Sequence, residues 1–163
     1  MLIFVDCEAT GTCPRDGVLT EFAAVAYPSK ESFHGIIYVT HPSLLNPAIP
    51  EIENMAEELP EVFMRFNSWL NRICIDERLV LISDNPAYDW QWIADGFSSI
   101  GKNPFGHSAR RIGDVWAGIT GNISDTSSWK KFRKTKHTHN PVGDAMGNVE
   151  AWETMMEIMK DKK

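Results

Sequence analysis

Residues 2–11 read LIFVDCEATG, and the fold follows from how this stretch is taken. Four apolar residues, Leu2, Ile3, Phe4 and Val5, lead directly into Asp6, Cys7 and Glu8. A continuous apolar run rich in branched and aromatic side chains predicts a strand covered on both faces, at the centre of a sheet. Side chains at i and i+2 share a face of a strand. Asp6 and Glu8 therefore stand side by side where the strand leaves the core, with Cys7 on the opposite face. Neighbouring carboxylates repel and resist burial unless a cation lies between them. Oxygen donors of this kind suit hard divalent ions such as Mg²⁺. With 22 acids in 163 residues, a solvated strand end carrying two incidental acids is the competing reading.

The rest of the chain narrows the choice. A length of 163 residues fits one domain spanning 1–163, with an apolar fraction of 43% and six Trp to fill its core. No apolar run reaches the roughly 20 residues that cross a bilayer. The apolar start ends at Asp6 with no basic segment ahead of it, so no signal peptide and a cytoplasmic location are expected. Cys7, Cys13 and Cys74 are too few and too scattered for a disulfide framework and lack a C-x-x-C zinc spacing. A net charge of −6 argues against nucleic-acid binding through the whole surface, so a polyanion needs a local basic patch or metal ions.

Strands are expected over 18–27 and 33–40, joined by short turns into an antiparallel meander with the first. A short helix is expected over 51–58. Residues 61–74 carry Val62, Phe63, Phe66, Trp69, Leu70 and Ile73 on one stripe of a helix. Residues 78–82 form another apolar strand, followed by Asn85 and Pro86, which suit the cap and first position of a helix running to Gly101. From 102 to 128 loops are expected, with one short helix capped by Asp114. Asn140 and Pro141 open a last helix whose buried stripe is Ala145, Val149, Trp152, Met156 and Met159. Strands first, then helices alternating with a strand, predict an α/β fold with a mixed sheet flanked by helices.

Asp89 lies early in a helix after a strand expected beside the first, and Asp144 lies at the head of the last helix. Asp6, Glu8, Asp89 and Asp144 thus all sit at element ends, where segments converge. Four carboxylates around one or two Mg²⁺ or Mn²⁺ ions form a constellation suited to phosphoryl transfer. His139, five residues before Asp144, is placed to accept a proton from an attacking water. Taken singly, Asp89 and Asp144 also read as helix-start acids and His139 as a loop histidine near His137; the joint pattern favours chemistry.

These residues carry a resemblance. The sequence resembles the DEDD-type 3′–5′ exonucleases of the ribonuclease H-like fold. The first motif is the D-x-E of Asp6 and Glu8 followed by Thr10-Gly11, and the second is Asp89 within SDNPAYDWQW. The third is His139-Asn-Pro-Val-Gly-Asp144, whose histidine places the resemblance in the DEDDh branch; His137 does not fit the spacing. SDNPAYDWQW and HNPVGDA look nearest to the RNase AS-like exoribonucleases, which are dimeric and degrade RNA from its 3′ end with a preference for adenylate. The resemblance implies that Asp6, Glu8 and Asp144 hold one metal and that Asp6 bridges to a second supported by Asp89. It also implies His139 as general base, Ala9 and Thr10 against the terminal sugar, and a homodimer.

The segment 129–139, WKKFRKTKHTH, holds five cations and no acid. Lys130, Lys131, Arg133, Lys134 and Lys136 are candidate phosphate contacts, and Trp129 is a candidate stacking platform for an unpaired base. A solvated basic loop is the alternative. Three functions remain in view. They are an exoribonuclease releasing nucleoside 5′-monophosphates from single-stranded 3′ ends, a DNA 3′–5′ exonuclease, and a catalytically silent nucleic-acid-binding module.

Overall fold

The computed structural model describes residues 1–39 and 55–162. Strand β1 (Leu2–Ala9) pairs antiparallel with β2 (Leu19–Tyr27), which pairs antiparallel with β3 (Ser32–Ile36). On its other edge β1 pairs parallel with β4 (Val80–Ser83), and β4 pairs parallel with β5 (Ala109–Arg111). The order β3-β2-β1-β4-β5 makes β1 the central strand, as its apolar run predicts. Ile3, Phe4 and Val5 are fully buried.

Alternation along β1 feeds two cores. Ile3, Val5 and Cys7 pack with Phe63, Phe66 and Leu70 of α1 (Leu59–Ile73) and with Trp92, Ile93 and Phe97 of α2 (Pro86–Ser98). A Cβ on Gly96 would fall 2.0 Å from the Phe63 ring, so glycine is required where α2 crosses α1. On the opposite face Phe4 packs with α3 (Ile112–Thr120) and α4 (Pro141–Asp161), its ring edge-on to Trp152 at 5.7 Å. Each such side chain contributes about 1.5–3 kcal/mol by leaving water. Asp6 and Glu8 continue the Phe4 row and so emerge on the side of α4.

Near the end of β1 the register shifts. Glu8 faces Glu21 but Ala9 faces Leu19, and the bulged Thr20 hydroxyl donates to the Glu8 carbonyl at 2.9 Å. Bulges of this kind re-aim side chains at strand ends. Beyond it, the Thr10 N–H donates to the Val18 carbonyl, and the Thr10 hydroxyl accepts from the Val18 N–H, both at 3.0 Å. A Cβ on Gly17 would fall 2.4 Å from the Gly11 nitrogen, which is why the loop can close this tightly.

Several boundaries differ from the sequence expectation. Residues 51–54 of the expected short helix lie outside the described residues, and 55–58 form a turn with a single bridge between Glu57 and Ile37. Strand β5 sits within a stretch expected as loop. Arg111, not Asp114, occupies the N-cap position of α3, without a side-chain capping hydrogen bond, and Asp114 lies in the first turn. Within the basic segment, Ser128–Phe132 forms a 3₁₀ helix. In α4 the fully buried methionine is Met155, one position before Met156. Cys7, Cys13 and Cys74 are free thiols, and no helix among the described residues is long and apolar enough to cross a membrane.

Candidate functional site

Three carboxylates meet at the end of β1. Asp6 and Glu8 come from the strand. Asp144 comes from the first turn of α4, where Pro141 opens the helix and the Asn140 side chain caps it by accepting the Gly143 N–H at 2.9 Å. Asp6, Glu8 and Asp144 each offer an oxygen, and these oxygens lie within 4.8 Å of one another. The Asp144 side chain is wholly buried. Its Oδ1 accepts the Thr138 N–H at 3.1 Å.

Asp89 reaches the same strand end from the α2 side. Its Oδ1 accepts the Cys7 N–H at 3.0 Å, on the backbone between Asp6 and Glu8, and its Oδ2 accepts the Ser83 hydroxyl. Both partners stand at strand ends, Cys7 in β1 and Ser83 in β4. The two hydrogen bonds thus fix the carboxylate against the sheet without bringing it into the three-oxygen cluster.

The electrostatics record the crowding. The Asp6 carboxyl is raised to about 9, first by burial and then by Asp89, Asp144 and Glu8, with Arg133 opposing. Asp89 is raised to about 7 by burial, against the lowering effect of the Ser83 and Cys7 hydrogen bonds. Glu8 is raised by burial and lowered by His139. Carboxylates that hold protons because their negative charge is undercompensated, in a donor set made only of oxygens, fit a hard divalent cation. The Cys7 thiol is pushed well above its ordinary value by burial and the surrounding acids, the opposite of nucleophile activation.

His139 is exposed, with Nδ1 3.5 Å from Glu8 Oε1. Its backbone is left-handed, with φ of 58°, a conformation that folds residues 137–139 back over the head of α4. His137, set aside by the motif spacing, lies with Nδ1 2.9 Å from Asp144 Oδ2, and the two imidazoles are 4.7 Å apart.

The basic segment divides into an inner and an outer set. Trp129 is fully buried in the second core, its indole N–H donating to the Thr126 carbonyl at 3.0 Å, so it presents no face to a base. Arg133 is 91% buried; its guanidinium covers the Trp129 ring at 4.9 Å and donates to Asn148. Lys130, Lys131, Lys134 and Lys136 are exposed, with Lys130 on Asp84 at 2.7 Å. Ala9 is half-buried and Thr10 exposed at the rim. Sequence reasoning missed Ser83, Asp84, Arg111 and His137. Arg111 donates to the Asp84 carbonyl at 3.4 Å and so joins Lys130 beside the acids. The Ser-Asp pair closing β4, directly after an apolar run, was the available signal. An apolar recess of about 400 Å³, lined by Val18, Leu19, Trp92 and Asp95 among others, adjoins the β1–β2 loop, and none of the four acids lines it.

No protein-family model and no curated protein matches the chain. Solved structures do. The nuclease domain of 3′hExo, a DEDDh family member bound to rAMP, aligns with a TM-score of 0.69 at 14% identity, over 96% of this chain and 91% of that one. E. coli ExoI in a zinc-bound complex with ssDNA gives 0.64 at 19% identity, over 99% of this chain. A further exonuclease I structure gives 0.60 at 17% identity, over 98%. The chain spans 40% of the length of both exonuclease I chains.

Proposed function

Because the chain has the ribonuclease H-like α/β fold of DEDDh exonuclease domains, we propose that it is a metal-dependent 3′–5′ exonuclease. The observation that carries this reading is the meeting of the Asp6, Glu8 and Asp144 oxygens within 4.8 Å at the end of the central strand. Two ions, Mg²⁺ or Mn²⁺, if bound by these acids, would supply activation of the attacking water and neutralisation at the leaving oxygen. Asp6, Glu8 and Asp144 would hold one, and Asp6 with Asp89 the other. Because both Asp89 oxygens already accept hydrogen bonds, its support is directed by their remaining lone pairs. His139 turns Nδ1 toward Glu8, which favours the tautomer protonated there; Nε2 is then the nitrogen that takes the proton of the attacking water. Ala9 and Thr10 line the rim where the terminal sugar would lie, and the four exposed lysines would meet upstream phosphates.

The substrate we assign is single-stranded RNA, shortened from the 3′ end with release of nucleoside 5′-monophosphates and a preference for adenylate. The resemblance of SDNPAYDWQW and HNPVGDA to RNase AS-like enzymes supports this, as does rAMP in the 3′hExo structure. The same resemblance supports a homodimer. The ssDNA complex of E. coli ExoI favours a second reading, a DNA 3′–5′ exonuclease. Digestion of matched 5′-labelled RNA and DNA strands, including oligo(A), oligo(C) and oligo(U), separates the two, since the 2′-hydroxyl is what tells them apart. A ladder fastest on oligo(A) is expected. A ladder on DNA alone would keep the chemistry and replace the substrate; binding without product under either ion would leave a silent module.

A further inference from the structure

We infer that His137 is a positioning residue of this site, which sets the Asp144 carboxylate and braces the His139 ring. The inference rests on the reading of Asp6, Glu8 and Asp144 as metal ligands. A fully buried carboxylate needs partners for both oxygens. Oδ1 has the Thr138 N–H, but no donor among the described residues is aligned for a hydrogen bond on Oδ2. The group beside Oδ2 is the His137 ring, with Nδ1 at 2.9 Å.

A carboxylate oxygen has two lone pairs. One Asp144 oxygen lies within 4.8 Å of oxygens of Asp6 and Glu8, so the His137 ring beside Oδ2 sits against a carboxylate of that cluster and leaves lone pairs open to it. The left-handed turn at His139 makes this reach possible over only seven residues. It places His137 and Thr138 on Asp144 of α4, and His139 on Glu8 of β1. One short segment therefore spans ligands from two elements, and the 4.7 Å contact between the imidazoles couples its two ends. Partners of this outer kind are worth about 10–100-fold in metal affinity or activity.

The test is calorimetric titration of the full chain with Mn²⁺, comparing wild type with His137→Ala, His137→Asn and His137→Gln. The asparagine amide nitrogen sits at the distance from Cβ of Nδ1, and that of glutamine sits one bond further, near Nε2. His137 is half exposed, so each variant is expected to fold, which its melting curve verifies. His137→Ala should weaken Mn²⁺ about tenfold. His137→Asn should recover most of that loss, and His137→Gln should not. Equal affinity in His137→Ala, or a loss that His137→Asn shares in full, overturns the role of His137 and leaves the metal site standing. Wild-type protein that takes up no Mn²⁺ overturns both.

Discussion

Asp89 lies deeper in the protein than Asp6, yet its carboxyl is held up less, at about 7 against about 9. The difference lies in the neighbours. Asp89 has a hydroxyl and a backbone N–H aimed at its two oxygens, and these offset part of the cost of burial. Asp6 faces Asp89, Asp144 and Glu8, with Arg133 the cation opposing them. One acid is compensated by dipoles built into strand ends. The other is surrounded by like charge, which the proposed metal would offset. Depth alone does not set how far a carboxyl is raised; the sign of what surrounds it does as well.

The sharpest way to break this contrast is Asp6→Asn. Turnover should fall roughly 10³-fold, the rate equivalent of several kcal/mol of lost charge stabilisation. Melting of the metal-free variant at pH 8 should nevertheless rise above wild type, because folding at that pH no longer has to force a proton onto Asp6, or bury its charge among three acids. A variant that melts lower would mean that Asp6 is structural.

The contrast also has a pH signature. Asp6 and Asp89 bind protons more tightly in the folded chain than in the unfolded one, so stability falls as pH rises between the ordinary carboxylate range and the raised values. Metal-free protein should therefore lose thermal stability from about pH 4 through pH 9. Added Mn²⁺ should restore it more at pH 8 than at pH 5. Thermal melts across this range check the sign, and a flat or rising metal-free curve would contradict it.

How much of this was legible beforehand follows physical lines. Strand alternation and helix capping are local, so LIFVDCEATG placed Asp6 and Glu8 correctly and Asn140-Pro141 placed the head of α4. The meander and the parallel β4 followed from short turns and an apolar run. Strand β5 did not, because Ala109–Arg111 is too short to show alternation and exists through the edge that β4 offers it. Nor did the inner half of the basic segment: Trp129 beside Lys130 reads as a platform until α3 and α4 close over it. The reach of His137 to Asp144 depends on one left-handed residue, which no periodicity reports.

Two smaller changes sharpen the Asp89 side. Ser83→Ala removes a donor to a charged group, a loss of about 1.5–3 kcal/mol, and should raise Asp89 further. The acid limb of the pH–rate profile should then move up by about one to two units. Asp84→Asn removes an acid that pushes Asp89 up and partners the exposed Lys130. Its effect on turnover should stay under about threefold, as expected for partly exposed pairs.

The most direct measurement is the release of nucleoside 5′-monophosphate from a 5′-labelled single strand by wild type and Asp6→Asn, titrated with Mn²⁺ and then with EDTA. The account predicts stepwise shortening from the 3′ end that appears with Mn²⁺, stops with EDTA and is lost in Asp6→Asn. Undiminished shortening in EDTA or in Asp6→Asn would contradict it.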